Sequence, residues 1–157
     1  MNCTILAVGT ELLMGQTVNT NATFLSQELN ELGINVLYHI TVGDNPDRLD
    51  KMLKNALELS DLIITTGGLG PTQDDLTKEI IAESLGRQLY LHKPTYDKLE
   101  DFFKKLNREM TDNNIKQAYL PDNSLVLENN AGTAPGFIIE ERDKVIVSLP
   151  GPPREMK

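Results

Sequence analysis

"LIITTGGLGPTQDD", Leu62 to Asp75, joins a short apolar run to three glycines within four residues and then to two adjacent carboxylates. The run reads as a strand buried on both faces, as an inner strand of a parallel sheet must be. The glycines read as the loop leaving its carboxyl end, and a helix is expected from about Asp75 to Leu85, stopped by Gly86. Strand, loop and helix in that order form the repeating unit of an open α/β sheet, whose ligands settle beyond the carboxyl ends of the strands.

Working outward, "TILAV" (Thr4 to Val8) is a second buried strand, followed by the loop "GTELLMGQTVN". A helix then starts with Thr20 as N-cap and buries Leu25, Leu29 and Leu32 at i, i+4, i+7, with Gly33 as its stop. Ile34, Val36, Tyr38, Ile40 and Val42 alternate with mostly polar residues, so this strand is half-exposed and lies toward a sheet edge. "DNPDRLDKMLKNALELS" is a helix capped by Asn45, with Pro46 at N1 and Leu49, Met52, Leu53, Ala56 and Leu57 on one face. Three strand–helix units in a row predict a parallel sheet with right-handed crossovers and helices on both faces.

Downstream, Tyr96, Leu99, Phe103 and Leu106 mark one face of a further helix, and a short helical stretch falls near Asn114 to Tyr119. This segment is expected to pack beside the site as a flap. "SLVL", "GFIIEE" and "KVIVSLP" return to strands, the last two joined by a turn and so antiparallel. The expected class is α/β, a three-layer α/β/α sandwich with a mostly parallel sheet. One domain covers residues 1–150, and 151–157, where "PPREM" resembles a first helical turn, is read as the start of a following segment.

With 157 residues and a net charge of −8, the chain is an unsuitable partner for nucleic acid or anionic lipid, which are held by clustered lysine and arginine. No apolar run approaches the ~20 residues of a membrane span, and no leader is apparent. A single cysteine, Cys3, reads as a small buried hydrophobe and fits a reducing compartment, so a cytoplasmic location is expected. His39 and His92 are the only imidazoles, too few for a Cys/His zinc site, and both read as surface or packing residues.

The glycine loop matches neither of two familiar phosphate-binding patterns. It lacks the lysine of the Walker loop, and Gln73 stands where the dinucleotide fingerprint needs its third glycine. Gly67, Gly68 and Gly70 nonetheless allow backbone amides to approach an anion, beside the positive end of the next helix. Asp74 and Asp75 have two readings. Thr72-Gln73-Asp74-Asp75 satisfies a capping box. Alternatively Glu11, at the end of the first strand, converges with Asp74 and Asp75 as oxygen ligands of a divalent metal, Mg²⁺ being favoured with Mn²⁺ or Co²⁺ as alternatives. A cation would reconcile carboxylates with a loop built for phosphate.

These stretches, with "AVGTELLMGQTVNTNATFLSQELNELGI", "VGDN", "AGTAPGF" and "LPGPPREM", resemble the N-terminal domain of the CinA (competence/damage-inducible) family across essentially the whole chain. That domain belongs to the wider molybdopterin-binding group and is similar to the Mog and MoaB proteins. The resemblance implies the α/β/α fold and a metal-dependent ADP-ribose pyrophosphatase, yielding AMP and ribose 5-phosphate. It also implies self-association as a dimer or trimer, and in longer members a C-terminal nicotinamide-mononucleotide deamidase domain, an activity not assigned to this chain. Asp74 stands where the Mog-like loop tends to carry arginine, which suits a metal-borne positive charge and weakens a pterin-adenylation reading.

On this basis Asp74, Asp75 and Lys78 are the catalytic candidates. Lys78 is read either as neutralising the leaving phosphate or as a plain surface lysine. Thr66, Gly67, Gly68, Gly70, Asp44, Asn19 and Thr133 are candidates for holding the nucleotide. For Asp44 the alternatives are a ribose contact and simple precedence of the Asn45 cap; for Asn19, Asn21 and Ala131 to Thr133 the alternative is ordinary turn chemistry. Two rival functions stay open: a molybdopterin-binding or adenylyl-transfer domain, and a non-catalytic nucleotide-binding module of a larger protein.

Overall fold

The structure is a computed structural model that describes residues 1–157. The chain runs β1 (Asn2–Val8), α1 (Thr10–Leu13), α2 (Thr20–Glu31), β2 (Asn35–Val42), α3 (Pro46–Leu59), β3 (Leu62–Thr66) and α4 (Thr77–Ser84). A second stretch follows, with β4 (Leu89–Leu91), α5 (Lys93–Lys105), α6 (Asp112–Ile115), a single 3-10 turn over Lys116–Ala118, and β5 (Tyr119–Pro121). The chain then returns through β6 (Leu125–Leu127), β7 (Gly136–Glu141), β8 (Lys144–Leu149) and α7 (Pro153–Met156).

The main sheet has the order β2-β1-β3-β8-β7-β6. β2, β1, β3 and β8 are mutually parallel, whereas β7 and β6 are added antiparallel. β1 and β3 are direct neighbours, with Ala7 beside Thr66, so the loops that leave them open onto the same edge. Side-chain alternation divides the core into two layers. Leu6, Val8, Ile63 and Ile146 face α3 and α4, whose Leu49, Leu53, Ile80 and Ile81 cover them. Cys3, Ile5, Leu62 and Ile64 face the other way, against Ala22, Leu25 and Leu29 of α2 and Met156 of α7. This is the three-layer arrangement the strand and helix periods imply, with β2 on the edge as its alternation requires. Residues 151–157 pack onto this unit, since Met156 is buried in the second layer.

Local differences from the sequence reading have local causes. Asn19, not Thr20, caps α2, its amide oxygen accepting the Ala22 N–H at 3.1 Å. Asn45 caps α3 as expected, accepting from the Arg48 N–H at 3.0 Å. α4 begins at Thr77 rather than Asp75, because the Asp75 carboxylate accepts the Thr72 N–H at 2.9 Å and the Thr72 hydroxyl at 2.6 Å. The Thr72–Asp75 signature therefore closes a turn ahead of the helix instead of capping it. The three-residue strands β4 and β5, paired antiparallel, are too short to show a period of two in the sequence.

Candidate functional site

A cavity of about 620 Å³ lies at the carboxyl ends of β1, β3 and β8. Val8, Gly9 and Glu11 enter it after β1, Gly67 to Thr72 with Asp74 and Asp75 after β3, and Pro150 to Pro153 with Glu155 after β8. Asp44 arrives from the end of β2, Gln117 from the 3-10 turn, and Thr133 and Ala134 from the loop before β7. Parallel strands end in register, so these loops meet although their residues are separated by most of the chain.

The floor of the cavity needs glycine. Gly67 has φ 97° and Gly68 φ 70°, both in the left-handed region. A Cβ on Gly67 would run into the Val8 carbonyl oxygen, and one on Gly68 into the Thr77 hydroxyl, each inside 3.0 Å. Gly151 approaches from β8, where its own Cβ would lie 3.3 Å from the Gly67 Cα. The remaining cavity glycines act differently. At Gly9 and Gly70 the space a side chain would fill is taken by the carboxylates of Glu11 and Asp75, and at Gly132, in the loop before β7, by that of Glu155. Gly70, expected to bring main-chain amides to a phosphate, thus also makes room for Asp75.

Glu11, Asp74 and Asp75 all line the cavity, as their positions after β1 and β3 predict. None takes part in a direct salt bridge, although Lys78 lies close enough to Asp75 to feel its charge. The convergence expected of Glu11, Asp74 and Asp75 is not found: they line one cavity from separate loops, and no three acidic, histidine or cysteine side chains draw together into a ready ligand set. The chain thus offers hard oxygen donors around an open space rather than a closed cage. That donor chemistry fits a divalent cation whose coordination is completed by ligand phosphate oxygens and water.

Asp44 is oriented by a reciprocal pair: its carboxylate accepts the Thr10 N–H at 3.0 Å, and the Thr10 hydroxyl accepts the Asp44 N–H at 3.1 Å. It faces the cavity and also fixes the loop that carries Glu11. Thr133 lines this cavity and a second cleft of about 480 Å³ between α5 and the segment before β7.

Three candidates stand elsewhere. Thr66 is buried in β3 and is not part of the cavity wall, and Asn19 serves as the α2 cap. Lys78, expected to reach the leaving phosphate, is only 4 % exposed behind the loop. Its Nζ donates to the Lys116 carbonyl at 2.6 Å, with Glu79 at 3.9 Å. Burial pulls its pKa down to about 8, opposed by Glu79. Lys116 in turn donates to the carbonyls of Thr72 and Asp75. This cationic pair supports the carboxylate loop from beneath. The flap expectation is met in this sense, since the segment from β4 to β5 delivers Lys116 and Gln117 to the site.

Gln117, Asn129 and Glu155 escaped the sequence reading. Asn129 is buried; its oxygen accepts the Ala131 and Gly132 N–H groups, and its nitrogen donates to the Ala134 carbonyl and Glu155. It holds the "AGT" loop in place, with no periodic signal to reveal it. The histidines are local: His39 Nε2 meets the Ser26 hydroxyl at 2.7 Å, and His92 Nδ1 meets the Thr95 hydroxyl at 2.8 Å.

Comparison with known proteins follows the same geometry. Residues 4–157 match the family described as "Probable molybdopterin binding domain". A competence-damage inducible protein of Acetivibrio thermocellus is 62% identical over 156 residues, which are 99% of this chain and 38% of that protein. A CinA-like protein of Dictyoglomus thermophilum is 54% identical with the same two coverages. The chain therefore spans under half the length of these relatives. Among solved structures, CinA of Thermoplasma acidophilum superposes with a TM-score of 0.91 at 36% identity, covering 99% of this chain and 92% of that one. MoaB of Thermus thermophilus reaches 0.62 at 22% identity over 99% and 86% of the two chains, a likeness of fold alone.

Proposed function

The chain belongs to the family of probable molybdopterin binding domains, in the branch that carries the CinA name, and from this premise we propose that its cavity binds and hydrolyses a nucleotide diphosphate with a divalent cation. ADP-ribose is the expected substrate, with AMP and ribose 5-phosphate as products. The observation that carries this reading is that one cavity holds both the bare glycine backbone after β3 and the carboxylates Glu11, Asp74 and Asp75, none of them in a direct salt bridge. A diphosphate alone would be repelled by those charges. A bound cation would remove the conflict, and Mg²⁺ characteristically takes a few carboxylates together with substrate phosphates.

In this scheme Glu11, Asp74 and Asp75 would hold the cation together with the ligand's phosphate oxygens, and it would supply Lewis-acid polarisation of the phosphoryl group. Gly67 and Gly68 let the main chain approach the diphosphate. Thr72 fixes one Asp75 oxygen through two hydrogen bonds and so holds the carboxylate in the cavity wall. Asp44, steadied by Thr10, is placed for a sugar hydroxyl. Lys78 and Lys116 keep the Thr72–Asp75 turn in position by binding its carbonyls directly or through one another.

The family description favours a second reading, in which the same cavity takes a molybdopterin or its adenylylated form. One experiment separates the two. Purified protein is incubated with ADP-ribose and Mg²⁺, Mn²⁺ or Co²⁺, and AMP is followed by chromatography, with EDTA and Asp75→Ala as controls. The proposal requires AMP release that both controls abolish. Release indifferent to both, or release only from an adenylylated pterin, refutes it.

A further inference from the structure

The cavity read as the diphosphate site is furnished for charge. Its wall carries Glu11, Asp44, Asp74 and Asp75 beside bare glycine backbone, and not one aromatic side chain. A nucleotide also brings a flat base, for which that wall offers no ring to stack on. The second cleft, of about 480 Å³, has the complementary character. Leu99 and Phe102 of α5 line one side, and Val126 of β6 and Pro135 the other, with the polar Asn130 and Thr133 among them. An aromatic surface bordered by a few polar groups is what a site for a planar base requires.

Thr133 lines both spaces, so the cleft and the cavity adjoin across the loop of Ala131 to Thr133. That loop is fixed, because the buried Asn129 accepts the Ala131 N–H at 2.9 Å and the Gly132 N–H at 2.8 Å. Lys98 of α5 donates to Glu128 and to the Asn130 amide oxygen, each at 3.2 Å, and so joins the two sides of the cleft. Phe102 is 45 % exposed, although its edge-to-face neighbour Phe103, with ring centroids 5.5 Å apart, is half-buried. A ring left accessible in a cleft can receive a second ring, which one packed into the core cannot.

We propose that this cleft is a nucleobase site, in which Phe102 stacks against the purine of a nucleotide whose phosphates lie in the neighbouring cavity. The inference rests on the nucleotide reading above and adds to it the surface that distinguishes a nucleotide from a bare sugar phosphate. It also gives α5 a purpose, since that helix carries Phe102 to the loop beside the cavity.

The test compares AMP with ribose 5-phosphate, two phosphorylated riboses of which only the first bears a base. Their affinities in Mg²⁺ are measured calorimetrically for wild type, Phe102→Ala and Phe102→Trp, with folding verified by circular dichroism and AMP release from ADP-ribose followed in parallel. Loss of one base–aromatic stack predicts a fall of about fivefold to a hundredfold in AMP affinity for Phe102→Ala, with ribose 5-phosphate held within about twofold. Phe102→Trp keeps a stacking ring and should retain AMP affinity. The chain has no tryptophan, so this variant carries a single indole, whose emission AMP should quench and ribose 5-phosphate should not. That signal serves even if the alanine variant fails to fold. An equal loss for both ligands, unaltered AMP affinity, equal quenching by both, or no AMP binding by wild type overturns the inference. Emission that follows protein concentration instead of AMP would mark a contact between copies and overturn it as well. Selective loss without AMP release from ADP-ribose would uphold the base site and end the hydrolytic reading. AMP release with AMP affinity unaltered in Phe102→Ala would do the reverse.

Discussion

Replacing Gly67 by alanine tests the central structural argument, that the cavity floor is built on a close approach between two strand ends. Two costs add. Left-handed backbone, here φ 97°, disfavours alanine by about 1–2 kcal/mol. The new Cβ also meets the Val8 carbonyl oxygen inside 3.0 Å. That oxygen belongs to a strand paired on both sides, so it cannot move freely, and overpacking of this kind costs about 1–3 kcal/mol. Stiffening of the unfolded chain returns about 0.4–1 kcal/mol. The net expectation is about 2–4 kcal/mol, measurable by urea unfolding followed by circular dichroism. Gly33→Ala is the control: Gly33 has a similar positive φ of 73° but nothing within 4 Å of a new Cβ. It should lose about 1 kcal/mol or less, through backbone conformation alone. Equal destabilisation of the two variants, within about 0.5 kcal/mol, would show that the Val8 approach is not tight and that the floor does not require glycine for the reason given.

Lys78 and Cys3 supply the remaining predictions. Lys78 titrates near 8 when folded against 10.5 when unfolded, so the unfolded chain binds the extra proton between those values. Its contribution to stability therefore rises from pH 8 to 10.5, by about 3 kcal/mol at most. Lys78→Met should remove that rise, and urea unfolding across the window that shows identical pH profiles for the two proteins would contradict it. Burial raises the Cys3 thiol from 9.0 to about 11, so its contribution has the opposite slope, falling as pH rises from 9 to 11. Cys3 is also fully buried, and a chromogenic disulfide reagent should label it only as fast as the protein opens; immediate labelling of the folded protein would refute its placement in the core.

Much of the architecture was legible because it is written in short-range periods. The apolar runs of β1 and β3, the alternation of β2 and the capped face of α3 each express a local rule, and right-handed crossovers then order the strands. The candidate cavity was legible in part for the same reason. Glu11, Asp74, Asp75 and the glycines occupy loops at the carboxyl ends of strands, and such loops share one side of the sheet. The CinA likeness rested on these same residues.

What the sequence by itself determined is the layered fold and the side of the sheet on which the candidate cavity opens, since both follow from patterns of two and 3.6 residues and from turn chemistry. Tertiary structure alone decided which polar groups meet there. It turned Lys78 under the loop, where Lys116 receives it, brought Gln117 and Glu155 to the wall, and set Asn129 behind the wall against Glu155. The physical reason is distance along the chain: the Lys78–Lys116 and Asn129–Glu155 contacts join residues 38 and 26 positions apart. No local propensity encodes such pairings, which exist only once the packed layers hold their loops together.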